Sequence, residues 1–297
     1  MAKPRWARAA SADEWLAAGR ERAHIYNDVD RIDIESTERH ESMLNLEGKV
    51  AAVFGLANKR SIAWGIATKL HEAGAKLAIS YQNERMKAEA LGLIEDLPGA
   101  EPFQCDVASD AEIERVFAQM KERYGKVDVL VHCIAFAPPE DLKNDFLQTT
   151  REGFRIAHDV SVYSLIALAR GAAPLMTEGG SVITLTYFGA EKVVPHYKVM
   201  GVAKAALEAT VRYLAWDLGR QNVRVNAISA GPIKTLAARG IGSLGDMLKY
   251  HEDRSPLHRN TEQTEVGKTA VYLASDLASG VTGETIYVDS GYNIMGF

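Results

Sequence analysis

Tyr187, Tyr197 and Lys204 have the side-chain types and the spacing to donate a proton and to hold a charge. Tyr187 closes an apolar, β-branched run from Gly180, GSVITLTY, that reads as a buried strand. Pro195 and its neighbours break that pattern. From Tyr197 to about Leu218, apolar residues at Val199, Val202, Ala203, Ala206 and Ala209 predict a helix. Tyr197 and Lys204 are seven residues apart, roughly two turns, so on such a helix they share a face about 10 Å apart along the axis. A phenol there can give a proton to a developing oxyanion, and an ammonium favours the charged form of what it touches. Taken alone, a Tyr and a Lys on a helix are more often a packing residue and a solvated cation, so the elements that position them decide the reading.

From Lys49 onward, strands and helices alternate. Strands are predicted at Val50–Phe54, Lys76–Tyr81, Pro102–Cys105, Val127–Cys133, Gly180–Tyr187, Arg224–Ser229 and Thr285–Val288. Helices are predicted at Ser61–Ala73, Glu84–Ile94, Ala111–Tyr124, Phe154–Ala172, Tyr197–Leu218 and Glu265–Leu273. Such alternation predicts the α/β class: one doubly wound, parallel, seven-stranded sheet with helices on both faces. The stretches Ala135–Phe146 and Pro232–His258 read as long loops after strand ends, where sheets of this kind bind ligands. Residues 1–45 are set apart by charge and by weak apolar periodicity, with Trp6, Trp15, Leu16 and Ile25 enough for one short amphipathic helix. They are expected to be an N-terminal extension, with the functional domain over 46–297 and its start near Met43.

Composition narrows the function classes. Of 297 residues, 47% are hydrophobic and 25% charged, as in an ordinary soluble protein. A net charge of -5 argues against general nucleic-acid binding. No run of eighteen apolar residues suggests a membrane span. The extension lacks the apolar core of a signal peptide, and nine acids between Asp13 and Glu41 argue against a transit peptide. Cys105 and Cys133 end apolar strands and read as buried reduced thiols rather than a disulfide or metal site, which fits the cytoplasm.

The first βαβ unit carries a candidate phosphate turn, Gly55 to Gly65 (GLANKRSIAWG). It lacks G-x-G-x-x-G, but Gly55 can make the tight turn, Ser61 can cap the helix or meet a phosphate, and Gly65 allows close packing. Gln82, after the second strand, stands where a dinucleotide fold usually holds the ribose with an acid, and Asp106 after the third can accept from an adenine amine. Small residues near Cys133-Ile134-Ala135 would let a cofactor approach the backbone.

Together these pieces resemble the short-chain dehydrogenase/reductase superfamily and, within it, the bacterial enoyl-acyl-carrier-protein reductases, over about Leu46 to Gly291. The stretches carrying the resemblance are GLANKRSIAWGIA, SYQNE, QCDV, HCIAFAP, TREGFRIAHDVSVYS, LTYFGAEKVVPHYKVMGVAKAALEA, VRVNAISAGPIKTLAARGI and GETIYVDSGY. The superfamily commonly spaces its Tyr and Lys by four; here the spacing is seven, with a second tyrosine, Tyr187, ten residues before Tyr197. Thr184 stands where the superfamily usually has a catalytic Ser. The resemblance implies a Rossmann-type fold and reduction of trans-2-enoyl thioesters with NADH in the fatty acid elongation cycle. It implies that Tyr197 is the catalytic tyrosine, that Lys204 binds the nicotinamide ribose and that Tyr187 lines the acyl pocket. Gly55, Ser61, Ile62, Gln82, Asp106, Val107, Ile134, Ile233, Thr235 and Leu236 match cofactor positions, and Phe136, Ala137, Met200 and Ile241 match positions near the acyl chain. It further implies a homotetramer, an acyl carrier protein as partner, and a mobile substrate loop and helix over Ala230–Leu248. This chain departs in having no basic residue in Gly242–Asp246, where relatives are thought to dock the carrier; Arg239, Lys249 and Arg254 are nearby. The competing readings are a ketoacyl or alcohol dehydrogenase of the same superfamily, disfavoured by the Tyr–Lys spacing and Thr184, and a nicotinamide sensor without turnover, disfavoured by Tyr197 and Lys204 together.

Overall fold

The structure is a computed structural model, and it describes residues 44–235 and 244–296. The strands are β1 (Val50–Phe54), β2 (Lys76–Tyr81), β3 (Glu101–Gln104), β4 (Val129–His132), β5 (Gly180–Thr186), β6 (Val223–Ala230) and β7 (Thr285–Val288). They form one sheet of order β3-β2-β1-β4-β5-β6-β7 with every pairing parallel. Helices α1 (Ile62–Glu72), α2 (Glu84–Ile94) and α3 (Asp110–Tyr124) follow the first three strands. After β4 come α4 (Pro139–Lys143), α5 (Arg151–His158) and α6 (Ser164–Ala172); α7 (Val199–Leu218) follows β5, and α8 (Leu244–Arg254) and α9 (Gln263–Ala274) lie between β6 and β7.

The central strands are buried on both faces, so their sequences are continuously apolar and the pleat sorts residues into two cores. Ala52, Phe54, Leu130 and Val182 pack under α3, α6 and α7, against Val116, Leu168 and Leu207. Ala51, Val53, Val131 and Ile183 pack under α1 and α9, against Ile66, Leu70, Val266 and Leu273. Burying such side chains contributes about 1.5–3 kcal/mol each. Gly65 and Gly267 let α1 and α9 touch: a Cβ at 267 would lie 2.2 Å from the Gly65 carbonyl oxygen.

The doubly wound sheet expected from the alternation is present, and most edges differ by a residue or two. Three differences matter for the site. The expected helix over 154–172 is interrupted: α5 ends at His158, Asp159–Tyr163 forms a π turn, and α6 begins at Ser164. The stretch 232–258 is not all loop, since α8 occupies 244–254. The helix expected from Tyr197 starts at Val199. Tyr197 sits in the turn before it, between His196 (φ 68°) and Lys198 (φ 45°), two non-glycine residues with positive φ. Such conformations cost of order 1–3 kcal/mol each and break the helical path. The two-turn axial separation read from the spacing therefore does not describe the Tyr197–Lys204 pair.

Candidate active site

A parallel sheet delivers every strand's carboxyl end to one edge, and the switch point between β1 and β4 opens a crevice there. Gly55 leaves β1, Gln82 β2, Cys133 to Ala137 β4, Tyr187 β5 and Gly231 β6 at that edge. Gly55 has φ 95°, and a Cβ on it would lie 2.2 Å from the Cys133 carbonyl oxygen, so the two switch-point strands come together only because it has no side chain.

Tyr187 and Tyr197 meet edge to face, with ring centroids 5.0 Å apart and planes at 76°. The loop between them folds so that Gly189 lies against both: a Cβ there would be 2.5 Å from the Tyr197 ring and 3.3 Å from the Tyr187 ring. Tyr197, Met200 and Ala137 are buried in one apolar cluster with Val199 and Ala157, and Tyr187 packs against it. The Tyr187 hydroxyl donates to Met247 Sδ on α8 at 3.5 Å. Lys204 is 4% exposed and its Nζ donates to the Leu185 carbonyl at 2.6 Å, which fixes the ammonium at the end of β5. One turn further along α7, Glu208 accepts from Thr186 Oγ1 at 2.6 Å.

Burial sets the protonation states. It pushes the Tyr197 phenol well above its usual value, with Tyr187 and Glu208 adding to the effect, and Tyr187 up to about 12. It brings Lys204 down to about 8, against the opposing pull of Cys133 and Glu208. Both phenols therefore stay protonated near neutral pH and can donate.

Under this layer His132 ends β4 in register with Thr184 on β5. Its Nδ1 lies 2.8 Å from Thr184 Oγ1 and its Nε2 2.8 Å from Ser164 Oγ, which itself donates to the Val160 carbonyl at 2.6 Å. Thr184 Oγ1 also donates to the His132 carbonyl at 3.3 Å, so the ring is held between two hydroxyls that are themselves tied to backbone. Burial, then the Lys204 charge, holds the ring neutral by pushing it down to about 3. So Thr184, at the usual Ser position, is engaged with His132. The π turn places Ser161, whose hydroxyl accepts from the Phe136 N–H at 3.0 Å and pins the chain leaving β4.

At the cofactor side, Ser61 caps α1: its Oγ accepts from the Trp64 N–H at 3.2 Å and donates to the Asn58 carbonyl at 2.7 Å. Of the two uses foreseen for Ser61, this is the cap. Ile62 opens α1, where the first N–H groups have no partner inside the helix. Gln82 Nε2 donates to Asp106 Oδ2 at 3.2 Å, so the two residues foreseen at the adenosine end face one crevice. Val107, Ile134 and Ile233 are half-buried against the cores, and the Thr235 N–H bonds the Ile233 carbonyl at 2.7 Å. Leu236 and Ile241 lie outside the described residues. Phe136 is 51% exposed and does not join the apolar cluster around Tyr197. Sequence reasoning missed Gly189, His132, Ser161 and Met247. The YFGA and HCIAFAP stretches held the first two, but their roles come from contacts across the fold.

The enoyl-(acyl carrier protein) reductase family model matches residues 55–293. The chain belongs to the enoyl-(acyl carrier protein) reductase family. The NADH enoyl-[acyl-carrier-protein] reductase FabI of Nostoc sp. is 55% identical over 257 residues, which cover 86% of this chain and 100% of that protein. The NADPH enoyl-[acyl-carrier-protein] reductase FabI of Staphylococcus aureus is 54% identical over 253 residues, covering 84% of this chain and 99% of that protein. The crystal structure of the Bacillus cereus enoyl-acyl carrier protein reductase with NADP+ and indole naphthyridinone superposes with a TM-score of 0.84 at 54% identity, over 85% of this chain and 99% of that one. The Anaplasma phagocytophilum enzyme in complex with NAD gives 0.82 at 45% identity, over 86% of this chain and 95% of that one. Enoyl reductases of similar identity thus differ in the nicotinamide cofactor named for them.

Proposed function

We infer that this chain catalyses its family's reaction, reduction of the carbon–carbon double bond of a trans-2-enoyl thioester carried by acyl carrier protein, with NADH as reductant. The observation that carries the reading is the pair of tyrosines meeting edge to face, with buried Lys204 held at the end of β5, the strand that Tyr187 leaves. The switch-point crevice fits a dinucleotide: a capped helix N-terminus stands at one side, and Gln82 with Asp106 at the other. When bound there, the nicotinamide supplies a hydride to the β-carbon of the substrate. Negative charge then collects on the thioester oxygen as an enolate. The Tyr197 hydroxyl donates to that oxygen, a contact worth roughly 3–4 kcal/mol because it strengthens as charge develops. Lys204, held by the Leu185 carbonyl, would orient the ribose hydroxyls and adds positive charge near the forming enolate. Ala137, Met200 and Tyr187 give an apolar wall for the acyl chain and keep water from the oxyanion. Protonation at the α-carbon completes the saturated thioester.

The test is oxidation of NADH with a short trans-2-enoyl thioester, which should proceed readily, while a 3-ketoacyl thioester should hardly react. Faster turnover of the ketoacyl substrate would replace this reading with a ketone reductase.

NADH over NADPH follows from the end of β2. A 2′-phosphate needs a cation there; Gln82 is neutral and Glu84, paired with Lys87 at 3.0 Å, is an anion. The expected kcat/KM is higher with NADH, and equality with NADPH would show that Arg85 or a neighbour supplies the missing charge. We also place the reaction in the cytoplasm, where the unpaired Cys105 and Cys133 would stay reduced. The catalytic domain is read as 46–297; a chain starting at Met43 should keep its melting temperature and turnover, and loss of either would assign the extension a working role.

A further inference from the structure

Helix α8 presents two side chains on one face, four residues apart. Met247 meets the Tyr187 hydroxyl. His251 turns inward and is 2% exposed. Tyr292 stacks on the imidazole, with centroids 5.0 Å apart and planes at 30°, and meets Phe188 edge-on at 5.8 Å. The helix is therefore clasped at both ends of this face by groups that belong to, or adjoin, the Tyr187 wall.

The surroundings of His251 are polar and incompletely satisfied by protein. Neither ring nitrogen, nor Asn260 Oδ1, nor Thr261 Oγ1 makes a well-aligned hydrogen bond to a protein atom, and all four are buried, while the Asn260 side chain and the Asp289 backbone lie close enough to the imidazole to favour its charged form. Two of them converge beside Gly231, just after β6: a Cβ on Gly231 would lie 2.6 Å from Thr261 Oγ1 and 3.2 Å from His251 Nε2. Buried polar atoms are costly without partners. This set is complementary, with an amide oxygen that accepts, a hydroxyl that does both and a neutral imidazole that donates once and accepts once. Among the described residues no group of His, Cys, Asp or Glu is arranged to hold a metal.

We propose that His251 is a positioning residue for the reduction: its neutral imidazole, stacked on Tyr292 and seated against Gly231 beside Asn260 and Thr261, latches α8 onto the ends of β6 and β7 and so holds Met247 against Tyr187. The substrate it serves rests on the enoyl reductase reading above. The titratable and charged groups around it are Asp289, held by the Gly291 and Asn293 N–H groups at 3.0 and 2.8 Å, Tyr292, and on its own helix Tyr250 with Arg254 over its ring at 4.1 Å. Burial favours the neutral ring, opposed by the Asp289 charge, its backbone and the Asn260 side chain. The docked ring thus binds fewer protons than an undocked one, and the latch weakens as pH falls below the ordinary histidine value of about 6.5.

Two variants and two readouts test this. His251→Phe keeps the ring on Tyr292 and removes both nitrogens; His251→Gln keeps a neutral donor and acceptor and cannot take a proton. At pH 7.5, His251→Phe should raise KM for the enoyl thioester about fivefold with KM for NADH within about twofold, and should speed hydrogen exchange of the α8 amides by a similar factor. His251→Gln should restore both. Wild-type KM for the thioester should climb on acidification below about pH 6.5, and the Gln variant should stay flat. Unchanged KM and exchange in His251→Phe, an equal rise of both Michaelis constants, or an acid climb retained in His251→Gln would each overturn the latch. A wild-type enzyme inert toward enoyl thioesters would instead sink the reaction assignment, while the exchange measurement still decides the latch.

Discussion

Tyr197 is 9% exposed and Lys204 4%, and removal from water acts on them in opposite senses. The phenol is kept protonated, ready to donate; the ammonium becomes easier to lose, with its midpoint at about 8. Tyr197→Phe should lower kcat by about 10²–10³ with a smaller effect on KM, because its hydrogen bond is worth most at the enolate. Lys204→Ala should act mainly through KM for NADH. In the wild type, kcat/KM for NADH should fall as pH rises through about 8, since the charged form is lost there, and Lys204→Ala should remove that limb. A pH profile unchanged by the substitution would show that the limb belongs to another group. Both residues stand out in the sequence because their types are rare partners for catalysis at a fixed spacing. Gly189 did not, since its importance lies in two rings that approach it from elsewhere in the chain.

The element that decides the site is the loop from Tyr187 into α7. Its path uses positive φ at His196 and Lys198, with the Lys198 ammonium donating to the carbonyls of Lys143 and Asn144 at 2.8 and 2.5 Å. Gly189→Ala should therefore displace the Tyr197 ring and lower kcat by about tenfold or more, because misplacement by an ångström is costly to a positioned donor. Its melting temperature should move little, since the loop lies outside the two sheet cores. A fully active Gly189→Ala enzyme would show that the ring tolerates the shift. This loop also marks the limit of what pattern reveals. The central strands were legible because burial on both faces leaves a continuous apolar run, and α2, which Asn83 caps, coincides with the expected Glu84–Ile94. The start of α7 was not, because neither His196 nor Lys198 advertises a left-handed backbone as glycine would. The π turn at 159–163 was also hidden: it is sustained by Ser164 bonding back to Val160 and by His132 from another strand. Helix α8 carries apolar residues at Leu244, Met247 and Leu248 inside the stretch that reads as loop.

At the scale of the whole molecule, the described site residues all come from one chain, and one helical face away from them is exposed. On α7, Tyr213 is 76% exposed and Trp216 75%, and Val202 lies eleven residues before Tyr213, three turns along, so the three fall on one stripe. Phe154 on α5 and Tyr163 in the π turn add exposed rings on elements that pack beside α7. Large aromatics exposed together on a helix are the composition of an interface core rather than of a solvated surface. We propose this face as an interface of the homotetramer that the family resemblance implies. Replacing both rings, Tyr213→Glu with Trp216→Glu, places two charges at the centre of the stripe, where each would have to be buried unpaired if copies associate. Light scattering after size exclusion should then show the assembly falling from tetramer to dimer or monomer. The sheet of each copy should keep its far-ultraviolet dichroism, because neither side chain enters the α3–α6–α7 core. A double variant that remains tetrameric would move the interface to another face, and a wild type that is monomeric at micromolar concentration would remove the tetramer altogether.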